Sequence, residues 1–189
     1  MIENILVSRN VSVKTGIAVK TLIAAGLITL AALLPQIVHI AAGADGGMKW
    51  LPMYLPVLLA GCLVGVGQGL GVGIASPLFS FAVTSLAGNA MPAAARLPFM
   101  IAELAVFAVV SGLFSKKIYE NGWAAFPAVL LAAVAGRAFF LLLAVIFQAV
   151  APFTVEAAWT QVESGLIGLL LQAVLVPAVV ILLRRLLVK

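Results

Sequence analysis

Residues 49–103 read KWLPMYLPVLLAGCLVGVGQGLGVGIASPLFSFAVTSLAGNAMPAAARLPFMIAE, and this stretch of prolines, glycines and one acid interrupts an otherwise apolar chain. Leu63 apart, every second residue from Gly61 to Gly73 is a glycine. Read as helix, Gly61, Gly65, Gly69 and Gly73 recur at four-residue spacing along one face, a small-xxx-small stripe repeated three times. In lipid, apolar side chains gain little by leaving the tails for one another. Helices there associate by close backbone approach and van der Waals packing, which such a stripe permits. The stretch is therefore expected to form the hub of a helix bundle.

Composition sets the medium. Of 189 residues 65% are hydrophobic and 9% charged, with a mean hydropathy of +1.26. That is the balance of an integral membrane protein. Stretches between apolar runs reach only about ten residues, too short to bury a core of their own, so no soluble domain is expected. The glycine ladder holds neither GxxxxGK[ST] nor GxGxxG, which argues against a phosphate cradle. The single cysteine, Cys62, forms no internal disulfide and no metal site alone. His39 and Asp45 are the only histidine and aspartate, six residues apart, with no serine marked as a nucleophile. Neither a hydrolase triad nor a metal ligand set follows from these residues. An enzyme, a metal and a cofactor are not expected. The net charge of +5 is spread by topology rather than gathered in a patch, so nucleic acid is not an expected partner.

The apolar run from Gly16 to Ala42 is long enough to cross a bilayer of roughly 30 Å. Ala42-Gly43-Ala44 has the form of a signal-cleavage site, but signal cores run about 7 to 15 residues, and this one is longer. It reads as an uncleaved first span. Leu51 to Thr84 makes either one long span or two short ones that break near Gly65 to Gly69, and charge chooses between them. Two short spans put Arg9, Lys14, Lys20, Lys116, Lys117, Arg184, Arg185 and Lys189 inside, against Lys49 and Arg96 outside. One long span leaves four inside and six outside. The expected fold is an all-α bundle of six transmembrane helices in a single domain, with both termini cytoplasmic and spans near 16–42, 50–66, 68–86, 93–115, 123–150 and 159–187. Trp50, Trp123 and Trp159 stand at span boundaries, as interfacial aromatics do. The outer loops are short, so a ligand site would be built from helix ends and the bundle interior.

Ionisable groups at membrane depth are expensive and point to function. Glu103 lies roughly 15 Å into the fourth span at about 1.5 Å per residue, and Arg137 lies at similar depth in the fifth. Two readings stay open: the two neutralise each other and hold the bundle, or one or both face a polar ligand. His39, near the outer end of the first span, is either hydrogen-bonded filler or a ligand contact. Arg96 either snorkels to headgroups or meets the ligand. Gln148, Gln161 and Glu163 fall near the outer ends of the last two spans and, with His39, Asn89 and Arg96, give the outer half its polar character. Met53, Tyr54, Phe79, Phe81, Met91, Phe99 and Met100 read mainly as packing, with a few expected on a pocket wall.

Taken together, these residues resemble the substrate-binding S component of an energy-coupling factor (ECF) transporter. The features that carry the resemblance are His39 at the end of the first helix, Leu51 to Gly61, and the glycine-rich turn Gly65 to Gly73. Pro77 to Ser80, Met91 with Pro92, and Glu103 with Leu104 complete the set. The resemblance implies a subunit of a bacterial plasma membrane that captures a vitamin or related micronutrient outside. It would deliver this cargo through a transmembrane coupling subunit and two ATPase subunits. The cargo stays open among pantothenate, cobalamin, a pyrimidine precursor of thiamine and a queuosine-type base. An anionic cargo would favour Arg96 or Arg137, and a neutral or cationic base would favour Glu103. The family's coupling contact is an AxxxA-like motif on the first helix. This chain departs from it, with Thr21, Ala25 and Thr29 at that spacing and Ala18, Ala24, Ala31 and Ala32 around them. The other function classes are a self-sufficient secondary transporter or channel and a purely structural membrane subunit. Against the transporter, the two halves of the chain share no pattern and the midplane offers one acid.

Overall fold

The computed structural model describes residues 1–43, 46–88, 90–149 and 154–188, and these are helical or in short turns. A short helix α1 (Ile2–Ser8) precedes the long α2 (Val13–Ala42). Next come α3 (Gly46–Trp50), α4 (Tyr54–Val64) and α5 (Val66–Leu86). A single 3-10 turn leads into α6 (Leu97–Leu113), followed by α7 (Ser115–Glu120), α8 (Ala125–Phe147) and α9 (Val155–Leu187). Among the described residues six helical segments are long and apolar enough to span a membrane: 13–42, 46–64, 66–86, 94–113, 122–147 and 155–187. Helix is the form that satisfies every backbone group within its own segment where no water is at hand.

The ends follow local chemistry. Ser12 accepts the Thr15 N–H and starts α2 three residues ahead of the apolar run. Thr154 accepts the Ala157 N–H and starts α9 a turn before Trp159, the boundary expected from the sequence. Such caps answer N–H groups that a helix start leaves without partners. The break between α4 and α5 falls at Gly65, whose φ of +86° lies where a side chain is rarely tolerated. The single helical stripe expected from Gly61 through Gly73 is therefore divided. Gly65 is the corner, and Gly61 and Gly69 come together across it: a Cβ on Gly69 would stand 3.0 Å from the Gly61 Cα.

The core lies where α4, α5, α6 and α8 meet. Val57, Leu58, Ala60, Cys62, Leu104, Phe107 and Ala108 are wholly buried there. Close approach is what the glycines supply. A Cβ on Gly61 would come 2.8 Å from the Ala108 carbonyl oxygen, and one on Gly73 2.8 Å from that of Leu104. Gly67 and Gly71, the alternate rungs, have open space at the same position.

Both described ends of the chain meet at one end of the bundle. Arg9 Nη2 donates to the Leu187 carbonyl at 3.1 Å, and Lys20 pairs with Glu3 at 3.2 Å. Arg184 donates to the carbonyls of Tyr119 and Glu120, each at 2.9 Å, tying α9 to α7. Met1, Ile2 and Ile5 of α1 are buried against the core, so this end is closed by protein.

Candidate functional site: a cavity at the other end

At the opposite end the helices part around a cavity of about 210 Å³. Its walls come from Pro35 and His39 on α2, Met48 on α3, and Leu51 to Tyr54 in the turn that starts α4. Ser80 on α5, residues 91–93 with Arg96, Met100 on α6, Phe140 on α8 and Gln161 on α9 complete it. Four of the five methionines, Met48, Met53, Met91 and Met100, line this one space.

Two of the walls are pinned by polar contacts. Ser80 Oγ donates to the Met91 carbonyl at 2.9 Å, and Thr84 Oγ1 accepts the Met91 N–H at 2.8 Å. These two α5 hydroxyls fasten the connection to α6 against the cavity. Leu51 has a φ of +49°, unusual for a side chain of its bulk. Its carbonyl accepts Gln172 Nε2 from α9 at 2.7 Å and the Tyr54 N–H at 3.1 Å. Two glycines let α9 come this close. A Cβ on Gly168 would meet the Lys49 and Trp50 carbonyl groups at 2.7 Å, and one on Gly165 would meet Arg137 Nη2 at 2.8 Å.

Tyr54 is the floor. Its hydroxyl donates to Glu103 Oε2, and its ring packs edge-on against Phe107 with centroids 5.1 Å apart. Arg137 Nη1 lies 3.0 Å from Glu103 Oε1, and its guanidinium carbon is 5.2 Å from the Tyr54 ring centroid. Glu103 and Arg137 thus form a buried ion pair beneath the tyrosine, and neither lines the cavity. Below them Leu58, Leu104, Phe107 and Ala108 are wholly buried.

The remaining candidates fall in three places. His39, Arg96 and Gln161 border the cavity, with Arg96 Nη1 3.2 Å from Met48 Sδ. The Gln161 side-chain oxygen is buried with no hydrogen-bond partner among the described residues. Glu163 lies outside, exposed in a shallow groove with Lys49 and Glu156, where it accepts the Trp159 indole N–H at 2.6 Å. Met48, Arg96 and Gln161 are common to the groove and the cavity, forming the neck between them. Gln148 is exposed and borders neither space. Asn89 lies outside the described residues. Thr21, Ala25 and Thr29 are exposed on the outward face of α2, with the Thr29 hydroxyl donating to the Ala25 carbonyl at 3.0 Å. Of the residues read mainly as packing, Met53, Tyr54, Met91 and Met100 line the cavity, while Phe79 faces outward and Phe99 is buried beside Phe140.

Sequence reasoning missed Met48, Gln172 and the Gly165–Gly168 pair. For the pair a signal existed: two glycines three residues apart share a helix face. Comparison with protein-family models, with curated proteins and with solved structures gives no match.

Proposed function

We propose that this chain is the substrate-capture subunit of a membrane importer of the energy-coupling factor type. It binds a small micronutrient at its outer end and hands it on through a coupling subunit and two ATPases. The observation that carries this reading is a cavity at one end of the bundle that has Tyr54 in its lining and wholly buried core residues beneath it. Such a shape suits holding a ligand and does not suit conducting one. Orientation rests on charge: Arg9, Lys14, Lys116, Lys117, Arg184 and Arg185 belong to the terminus-bearing end, which the positive-inside rule makes cytoplasmic. The cavity then faces outward.

Release needs a second protein, and α2 offers it a surface. This helix is the least buried of the six spans, with 17% of its most apolar stretch buried against 67% for the span 46–64. Its outward face carries Thr21, Ala25 and Thr29, small enough for another helix to approach closely.

The test is ligand binding by the detergent-purified chain, followed by uptake. A panel of water-soluble vitamins and nucleobases is screened by thermal stabilisation. A native-state ligand at a hundredfold excess over its dissociation constant adds about 2.7 kcal/mol. The compound that stabilises should enter proteoliposomes only when a coupling subunit, two ATPases and ATP are present. Uptake by the chain alone would make it a self-sufficient transporter, and binding of nothing would leave a structural subunit.

A further inference from the structure

Resting on the capture reading, the geometry points to a ligand of one class: a single ring bearing one carboxylate, with the acid at Arg96 and the ring among the methionines.

Size comes first. The cavity measures about 210 Å³. Drug-sized ligands occupy roughly 300–1,000 Å³. A space of this size suits one substituted ring better than a corrin or a fused polycycle.

Charge comes second. Glu103, the acid at this depth, is sealed under Tyr54 and matched by Arg137. Among the described residues that line the cavity itself there is no carboxylate, Glu156 and Glu163 lining the groove on the far side of the neck, and the Arg96 guanidinium stands at that neck with His39 across the cavity. A cationic ligand would meet a cation and no described counter-ion. An anionic one meets an arginine, whose five N–H donors serve several acceptors at once and grip a carboxylate through paired hydrogen bonds.

The walls come third. Met48, Met53, Met91 and Met100 bring thioethers from four separate segments to one cavity, with Phe140 beside them. Thioether sulfur makes favourable contacts with aromatic rings, and the unbranched side chain adapts to a flat face. At the neck, the buried Gln161 amide oxygen has no donor among the described residues. A ring N–H or amino group beside the acid would supply one.

Pairs of an acid and a neutral analogue test this by thermal stabilisation and isothermal titration: nicotinate with nicotinamide, 4-aminobenzoate with 4-aminobenzamide, and orotate with uracil. Biotin, pantothenate and cobalamin complete the panel. At least one single-ring acid should bind tenfold or more tighter than its neutral partner. Arg96→Gln should abolish that preference, and Arg96→Lys, which keeps the charge without the planar fork, should retain part of it. Lys49→Gln removes a positive charge from the same end outside the cavity and should leave the preference unchanged. A neutral compound binding as well as its acid, a preference that survives Arg96→Gln, or tight binding confined to the larger vitamins would overturn this inference while capture stands. No binding by any of the single-ring acids would overturn it as well, whereas the capture reading falls only if the wider panel of vitamins and nucleobases also fails to bind.

Discussion

The two ends of this bundle solve opposite packing problems with different residues. Around the corner at Gly65, glycines bring backbones together until no volume is left: Gly61, Gly69 and Gly73 each face another backbone at 2.8–3.0 Å from where a Cβ would be. At the other end four methionines and the prolines Pro35, Pro52 and Pro92 hold the helices apart around a space of about 210 Å³. Small residues remove volume, while long flexible ones and rigid rings frame it. The boundary between the regimes is Tyr54, with Glu103 and Arg137 sealed beneath it.

The largest effect should come from filling the closed half. Gly73→Leu would drive a Cβ toward the Leu104 carbonyl group, which is backbone and cannot rotate aside. Overpacking typically costs about 1–3 kcal/mol, and more when backbone must move. We expect the variant to aggregate or to lose most of its cooperative melting transition in detergent. Gly71→Leu, two residues away with open space at its Cβ, should melt like the parent. Equal behaviour of the two would show that the ladder is not packed as described.

Next in size is the boundary. Removing one partner of a buried ion pair strands the other charge and costs about 3–5 kcal/mol, while replacing both with apolar groups of similar volume is often neutral. Glu103→Ala and Arg137→Ala should each destabilise strongly, and Glu103→Leu combined with Arg137→Met should recover most of the loss. Melting temperatures of the four proteins form the cycle that measures this. Ligand affinity sharpens it: because neither residue lines the cavity, the double variant should still bind. Loss of binding in a well-folded double variant would move the ligand deeper than Tyr54.

Much of the fold was legible because lipid leaves few choices. Long apolar runs have to be helical there, and six helical segments long and apolar enough to span a membrane are found among the described residues. The alternating glycines even separated the packed rungs Gly61, Gly69 and Gly73 from the open ones, Gly67 and Gly71. The corner at Gly65 falls within the break expected near Gly65 to Gly69, which loop charge located, while the four-residue repeat alone carries no mark of where φ turns positive. At the site, equal depth brought Glu103 and Arg137 together on paper, but depth does not reveal that Tyr54 covers them. Gln172 was invisible for a different reason. Its partner, the Leu51 carbonyl, is 121 residues away and is a backbone group, which no side-chain motif announces.

That contact gives the smallest effect and the finest probe of the two regimes. Gln172→Ala removes one donor from the Leu51 carbonyl, which keeps the Tyr54 N–H. A single neutral hydrogen bond contributes about 0.5–1.5 kcal/mol net, so the melting temperature should fall only slightly. Leu51, however, sits in the left-handed region, at the turn that places Pro52, Met53 and Tyr54 along the cavity. Freeing it should blur the wall more than it weakens the bundle. Affinity for the ligand that stabilises the parent should therefore fall severalfold, a larger proportional change than an equally small loss in the closed half produces. Ser111→Ala, which removes the hydroxyl that donates to the Phe107 carbonyl at 2.7 Å in the packed region, is the matched comparison. If both variants lost stability and affinity in the same proportion, the α3–α4 turn would be one more part of the scaffold. If only Gln172→Ala lost affinity, α9 would be positioning the cavity wall through a single carbonyl.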